Sequence, residues 1–198
     1  MCGIIGIVGK SPVAGRLVES LKRLEYRGYD SAGVAAQVDG VLQRRRAPGK
    51  LRELEAVLER EPLSAKTGIG HTRWATHGRP SEINAHPHKA GSISVVHNGI
   101  IENYLPLREQ LKQAGHTFSS ETDTEVICHL IDETLKTEPD FQKAVILALS
   151  QLQGAYAVCV LNELEPDTLI AAKLGSPMVV GLGANEFFIA SDIPAILA

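Results

Sequence analysis

The chain opens on an apolar run, Cys2-Gly3-Ile4-Ile5-Gly6-Ile7-Val8, that reads as a buried strand beginning at the terminus itself. Gly9 ends it, and Ser11-Pro12 looks like a helix cap followed by proline at the first helical position. Val13, Leu17, Leu21 and Leu24 then recur at helical spacing as far as Tyr26-Arg27-Gly28. Residues 32–38 and 41–45 read as a hairpin around Asp39-Gly40, and Leu51, Leu54, Val57 and Leu58 mark a second helix. Residues 67–71 are strand-like. Residues 72–90 have no period and are rich in His, Gly, Pro and Asn, which predicts an irregular loop held by side-chain contacts.

A strand over 92–96 runs into His97-Asn98-Gly99, and helices are expected over 105–114, 122–135 and 141–152. In the second of these, Thr122 and Glu125 have the spacing of a capping box, and Val126, Ile127, Leu130 and Ile131 share a face. Short β-like runs follow at 155–161, 168–172, 178–182 and 187–190, with Gly181-Leu182-Gly183 read as a turn. Strands come first, helices in the middle and strands last, without a repeat or a low-complexity linker. That order predicts one α+β domain of stacked antiparallel sheets with helices outside, not an alternating βαβ fold.

Composition excludes some partners. The net charge of −3, with both signs interspersed, argues against nucleic acid, and Arg44-Arg45-Arg46 reads as a solvated strand edge. No apolar stretch approaches a membrane span, and the N-terminus lacks a signal-peptide pattern. Of the three cysteines, Cys128 and Cys159 sit in apolar segments as small hydrophobes, which suits a reducing cytoplasm.

Cys2 has two readings. It is either the first core residue of its strand or a nucleophile exposed by removal of Met1, which aminopeptidases perform when the next side chain is small. The freed α-amine, with a reference pKa of about 7.7–8.0, could take the proton of a thiol of pKa about 8.5 through a water, with no histidine required. Asn98-Gly99 likewise reads either as a strand-ending turn or as two donors for a developing oxyanion. His71, His77, His86, His88 and His97 fall close together, but without a second cysteine or carboxylate at ligand spacing. Hydrogen-bonded loop histidines are expected, and no metal or other cofactor.

Several longer motifs carry a family resemblance. The start Cys2-Gly3-Ile4-Ile5-Gly6 resembles the terminus of the class II glutamine amidotransferases. Leu24-Glu25-Tyr26-Arg27-Gly28-Tyr29-Asp30-Ser31-Ala32-Gly33 and His71-Thr72-Arg73-Trp74-Ala75-Thr76-His77-Gly78 are similar to one branch, the glutamine–fructose-6-phosphate aminotransferases. So are Asn84-Ala85-His86-Pro87-His88, His97-Asn98-Gly99-Ile100-Ile101-Glu102-Asn103 and Ser120-Glu121-Thr122-Asp123-Thr124-Glu125. The resemblance implies an N-terminal-nucleophile αββα sandwich of two antiparallel sheets and a glutaminase with Cys2 as nucleophile. It assigns the oxyanion hole to Asn98 and Gly99, and the glutamine clamp to Arg73 and Asp123, with Thr76 and His77 adding contacts. A two-point fork from Arg73 would suit the α-carboxylate of the substrate, and Asp123 its α-ammonium. Trp74 is implied in a gating loop, and Arg27 in support of the terminus.

The resemblance further implies that residues 2–198 form a glutaminase domain that is incomplete at its C-terminus. The sugar isomerase domains and the fructose 6-phosphate site would lie elsewhere, in a full-length homo-oligomeric enzyme. The glutaminase domains of amidophosphoribosyltransferase and asparagine synthetase share the Cys-Gly-Ile start, but the Tyr26–Asp30 and Trp74–His77 segments favour the hexosamine branch.

Overall fold

The computed structural model describes residues 2–197; Met1, whose removal the nucleophile reading requires, and Ala198, the end of the expected domain, lie outside them. The elements in chain order are β1 (Gly3–Val8), α1 (Ala14–Lys22), β2 (Ser31–Val38), β3 (Val41–Pro48), α2 (Leu51–Arg60), β4 (Thr67–Arg73), β5 (His88–Ala90) and β6 (Ile93–Gly99). Then come α3 (Tyr104–Gln113), α4 (Thr124–Leu135), α5 (Phe141–Leu149), β7 (Tyr156–Asn162), β8 (Leu169–Leu174), β9 (Val179–Gly183) and β10 (Glu186–Ala190).

The strands form two antiparallel sheets, one ordered β3-β2-β4-β1-β10-β9 and the other β5-β6-β7-β8. The apolar run at the terminus becomes an interior strand, with β4 on one side and β10 on the other, so Cys2 is carried to the end of a central strand. Ile4, Ala35, Ile69, Val96, Cys159 and Leu161 fill the space between the sheets. The outer face of the larger sheet packs on α1 and α2 through Leu17, Leu21, Leu51 and Leu54. That of the smaller sheet packs on α3, α4 and α5 through Leu111, Ile127, Ile131 and Val145. The result is the expected αββα sandwich, each layer burying one apolar face.

Several local departures from the sequence reading arise where backbone and side-chain groups are claimed by distant partners. Ser11 and Pro12 lie outside α1, which starts at Ala14; the entry is fixed by the Val13 amide donating to Ala65 O at 2.8 Å rather than by a capping side chain. The helix ends at Lys22, and Glu25–Arg27 form a separate 3-10 turn. Thr122 does not cap α4, since its hydroxyl pairs with His88 Nε2 at 3.0 Å and Ser120 Oγ at 2.9 Å. Glu125 instead accepts from the amides of Ser119 and Ser120, at 2.8 and 2.7 Å. Helix α5 stops at Leu149, short of the expected 152.

Gly181 and Gly183 lie inside β9, and the turn follows at Ala184-Asn185, where Asn185 has φ 64°. The irregular stretch is also shorter than expected: Thr72 and Arg73 complete β4, and His88–Ala90 pairs with β6. Arg44 and Arg46 are not a solvated edge. Arg44 Nη1 donates to Pro87 O at 3.2 Å, and Arg46 Nη1 donates to Ile83 O and Ala85 O at 3.2 and 3.0 Å, so both hold that stretch down. Burial lowers the Arg46 guanidinium to about 10.

Candidate active site

A cavity of about 290 Å³ opens where the ends of β1, β4 and β6 meet the start of α4, and it is lined by Cys2, Arg73, Trp74, Thr76, His77, Asn98, Gly99 and Asp123 among others. These residues come from four separated stretches. What unites them is the antiparallel register: Gly3 faces Thr72 across β1 and β4, so the residues just beyond, Cys2 and Arg73, lie at the same sheet end.

The Cys2 thiol is half-buried. The Trp74 amide donates to Sγ at 3.2 Å, and the thiol donates back to Trp74 O at 3.4 Å. Burial pushes the thiol above its ordinary range, opposed chiefly by the Trp74 hydrogen bond. The Cys2 carbonyl is held from two directions, by Arg27 Nε at 3.0 Å and Asn98 Nδ2 at 3.0 Å. Arg27 is buried and in turn donates from Nη1 to Asp192 Oδ2 at 3.0 Å, an oxygen that also accepts from Tyr26 OH at 2.5 Å. Support of the terminus by Arg27 therefore has an anchor 165 residues away.

Arg73 and Asp123 are both buried, a cation and an anion on the same cavity wall. Arg73 Nη2 donates to the carbonyls of His77 and Gly78, the latter at 2.8 Å. Nη1 is buried and has no hydrogen-bond partner among the described residues; Asp30 Oδ1 stands 4.0 Å from it. The fork expected of Arg73 is thus half spent on shaping the loop. Asp123 Oδ2 accepts from the Ile101 amide at 2.9 Å, and Oδ1 lies 3.9 Å from His77 Nδ1. It also occupies the N-cap position of α4, so a helix-end charge and a cavity-wall anion are the same side chain.

Gly99 adopts φ +130°, and a Cβ there would lie 2.1 Å from Ala155 O, so no other residue fits without moving β7. The indole of Trp74 is half exposed at the rim, edge-on to Tyr29 with ring centroids 5.7 Å apart. Asp30, which the sequence did not single out, accepts from the Ala75 amide and ties down the start of the loop. His71, His86, His88 and His97 are all buried, His86 and His97 on the cavity wall, with His71 stacked on His86 at 4.1 Å between centroids. Burial lowers all four, His71 and His88 to about 3, which keeps them neutral. They are indeed hydrogen-bonded loop and strand histidines: His97 Nδ1 pairs with Thr124 Oγ1 at 2.9 Å, and His86 Nδ1 accepts from the His97 amide at 3.4 Å.

Two sheets stacked between helical layers, with a cysteine at the cavity end of a central strand, define the N-terminal-nucleophile class of fold. Comparison with known proteins narrows the class. A family profile described as the glutamine amidotransferase domain matches residues 71–198, and the chain belongs to that family. It is 60% identical over 196 residues to the glutamine–fructose-6-phosphate aminotransferase (isomerizing) of Caulobacter vibrioides, covering 99% of this chain and 32% of that one. The Escherichia coli K12 enzyme of the same name is 56% identical over 198 residues, again covering 32% of its length. The chain therefore spans about a third of the length of these curated relatives. Among solved structures, the glutamine phosphoribosylpyrophosphate amidotransferase of Bacillus subtilis superposes with TM-score 0.83 at 29% identity, over 98% of this chain and 42% of that one. A class-II glutamine aminotransferase domain protein of Silicibacter pomeroyi, at 17% identity and TM-score 0.65 over 96% of this chain and 88% of that one, shares the fold.

Proposed function

We propose that the chain hydrolyses L-glutamine to glutamate and ammonia through a thioester on Cys2. The observation that carries this is the placement of Cys2 Sγ in one cavity with a buried cation, a buried anion and the Asn98-Gly99 dipeptide. Arg73 would take the α-carboxylate and Asp123 the α-ammonium, with Thr76 and His77 completing the contacts. That fixes the side-chain amide near the thiol.

With Met1 removed, the α-amine of Cys2 accepts the thiol proton. The thiolate attacks the amide carbon, and Asn98 Nδ2 and the Gly99 amide receive the negative charge that develops on oxygen. The C–N bond breaks as the amine returns the proton to the leaving nitrogen, which departs as ammonia. Water then attacks the thioester, and its C–S bond breaks to give glutamate and the free thiol. Trp74 belongs to the loop that closes over glutamine and helps gate ammonia, shielding the thioester from water before the acceptor is bound, and Arg27 positions the terminus through the Cys2 carbonyl.

The acceptor follows from likeness. Identity of 60% to the fructose-6-phosphate enzymes, against 29% to the phosphoribosylpyrophosphate enzyme, favours residues 2–198 as the glutaminase part of an enzyme that passes ammonia to fructose 6-phosphate in making glucosamine 6-phosphate. On this reading the whole enzyme is a cytoplasmic homo-oligomer that works without nucleic acid or membrane. The three cysteines of this chain are free, which suits that compartment, and none of the described helices is long and apolar enough to cross a membrane.

The test is labelling by 6-diazo-5-oxo-norleucine, a glutamine mimic, with the adduct located by mass spectrometry. Labelling at Cys2 is expected, and it should vanish in Cys2→Ala and in chains that retain Met1. Label elsewhere, or label that survives Cys2→Ala, overturns the reading.

A further inference from the structure

The side-chain amide of Asn98 touches two groups whose chemistry fixes its direction. One end is 3.0 Å from Cys2 O, an oxygen that only accepts, so that end must be the NH2 group. The other end, Oδ1, is 3.1 Å from His71 Nε2. The same His71 nitrogen is 3.0 Å from His97 O, again an acceptor only, so Nε2 must carry the ring proton. His71 is fully buried, and burial holds the ring neutral. Its other nitrogen, Nδ1, is bare and has no hydrogen-bond partner among the described residues.

We propose that His71, in its neutral Nε2–H form, is a positioning residue that locks the Asn98 amide with its NH2 group toward Cys2 and the substrate oxyanion. The inference rests on the glutaminase reading and adds to it a residue that does not itself line the cavity. Without the His71 donor, the Asn98 amide could turn over and present Oδ1 to the oxyanion, where an acceptor repels. Donation to Oδ1 also polarises the amide, making Nδ2–H a stronger donor at the moment charge develops. A neutral imidazole supplies this without placing a positive charge beside the thiol. The ring is held for the task from both sides, by its place on the central strand β4 and by the His86 ring stacked on it.

The experiment compares glutamine hydrolysis by the Met1-processed chain carrying His71→Phe, His71→Gln, Asn98→Ala, and His71→Phe with Asn98→Ala. His71→Phe should lower kcat about ten- to a hundredfold and move KM less than about threefold, because the lost contact matters only once the oxyanion forms. His71→Gln, which keeps an N–H donor, should recover most of the loss. In the Asn98→Ala background, His71→Phe should cost less than about twofold more, because the group it positions is gone. An unchanged kcat for His71→Phe, an equal loss with or without Asn98, or a KM rise that accounts for the whole effect overturns the proposal. A wild-type chain that does not hydrolyse glutamine fails the glutaminase reading instead. Should His71→Phe not fold, 15N spectra of the histidine-labelled wild-type chain decide the matter. A neutral Nε2–H tautomer for His71 down to pH 5 supports the proposal, and Nδ1–H overturns it.

Discussion

Helices α4 and α5 and the loop over residues 74–87 sit at opposite ends of a scale of construction. The packing face of the helical layer is apolar and periodic: Ile127, Ile131, Val145 and Ala148 are fully or nearly fully buried in one cluster with Val95, Val158 and Val160 of the smaller sheet. The loop has no period and is fixed by discrete polar contacts. Arg73 holds two of its carbonyls, Arg46 two more, Asp30 the Ala75 amide, and Asn84 bridges Arg79 O at 3.0 Å and Glu121 Oε2 at 2.9 Å. The loop backbone at His86 even rests directly on β2, where a Cβ on Gly33 would lie 2.3 Å from the carbonyl of His86. Burial by area tolerates imprecision, whereas a cavity that must present donors and charges at fixed points needs a directional scaffold.

The sharpest way to break that contrast is at the helical end. Ile127→Ala removes a fully buried side chain from the layer behind β6, and the lost burial plus the cavity left behind should cost about 2–5 kcal/mol in denaturant unfolding. Because no cavity-lining group depends on Ile127 by a hydrogen bond, glutamine turnover per folded molecule should stay within about twofold of wild type. A larger fall in turnover at unchanged fraction folded would show that the two regions are not independent.

The same contrast explains what could be read in advance. Strand β1, the β2–β3 hairpin, α2 and the faces of α4 announce themselves by apolar period, because each buries one face whatever its distant partners are. The cavity residues Cys2, Arg73, Asn98 and Asp123 were legible through motif resemblance and residue chemistry. Their orientation was not: the Asn98 amide is set by Cys2 O and His71, residues 96 and 27 positions away, which no local spacing encodes. Asp192 escaped for the same reason, since its tie to Arg27 spans 165 residues. The misread ends of α1 and α4 follow suit. Ser11 and Thr122 are good capping residues on paper, but the Val13 amide is taken by Ala65 O, and the Thr122 hydroxyl by His88 and Ser120.

Acid should find the polar region first. His71 and His88 are neutral in the fold, lowered by burial to about 3, whereas in the unfolded chain they would titrate near 6.5. A histidine with a lowered folded value contributes full stability above the unfolded value and loses it as pH falls, because the unfolded state then binds protons that the native state refuses. The window for these two is about pH 6.5 down to 3, with a slope of up to about 1.4 kcal/mol per pH unit for each ring. Glu125, held below its ordinary range by His129 and by the Ser119 and Ser120 bonds against the opposing effect of burial, also loses its contribution in acid, at lower pH. Urea midpoints should therefore drop between pH 7 and 5. A flat profile over that range would mean that the histidine cluster is protonated or solvated in the native state.

The smallest effect expected is also the most local. Arg46 reaches from the edge strand β3 to the carbonyls of Ile83 and Ala85, so its bonds pin one side of the loop while its aliphatic stem lies near Gly33. Arg46→Met keeps the stem and removes both donors, at a cost of about 1–2 kcal/mol in stability. Turnover at saturating glutamine should hold, because no group assigned to the oxyanion or the nucleophile is bonded to Arg46. KM should rise by about two- to fivefold, because the stretch from Arg73 to His86 shapes the wall that meets the substrate. If kcat fell instead and KM held, the loop would be acting on the oxyanion through His86 and His71 rather than on binding. The polar region would then be one coupled unit from β3 to Asn98.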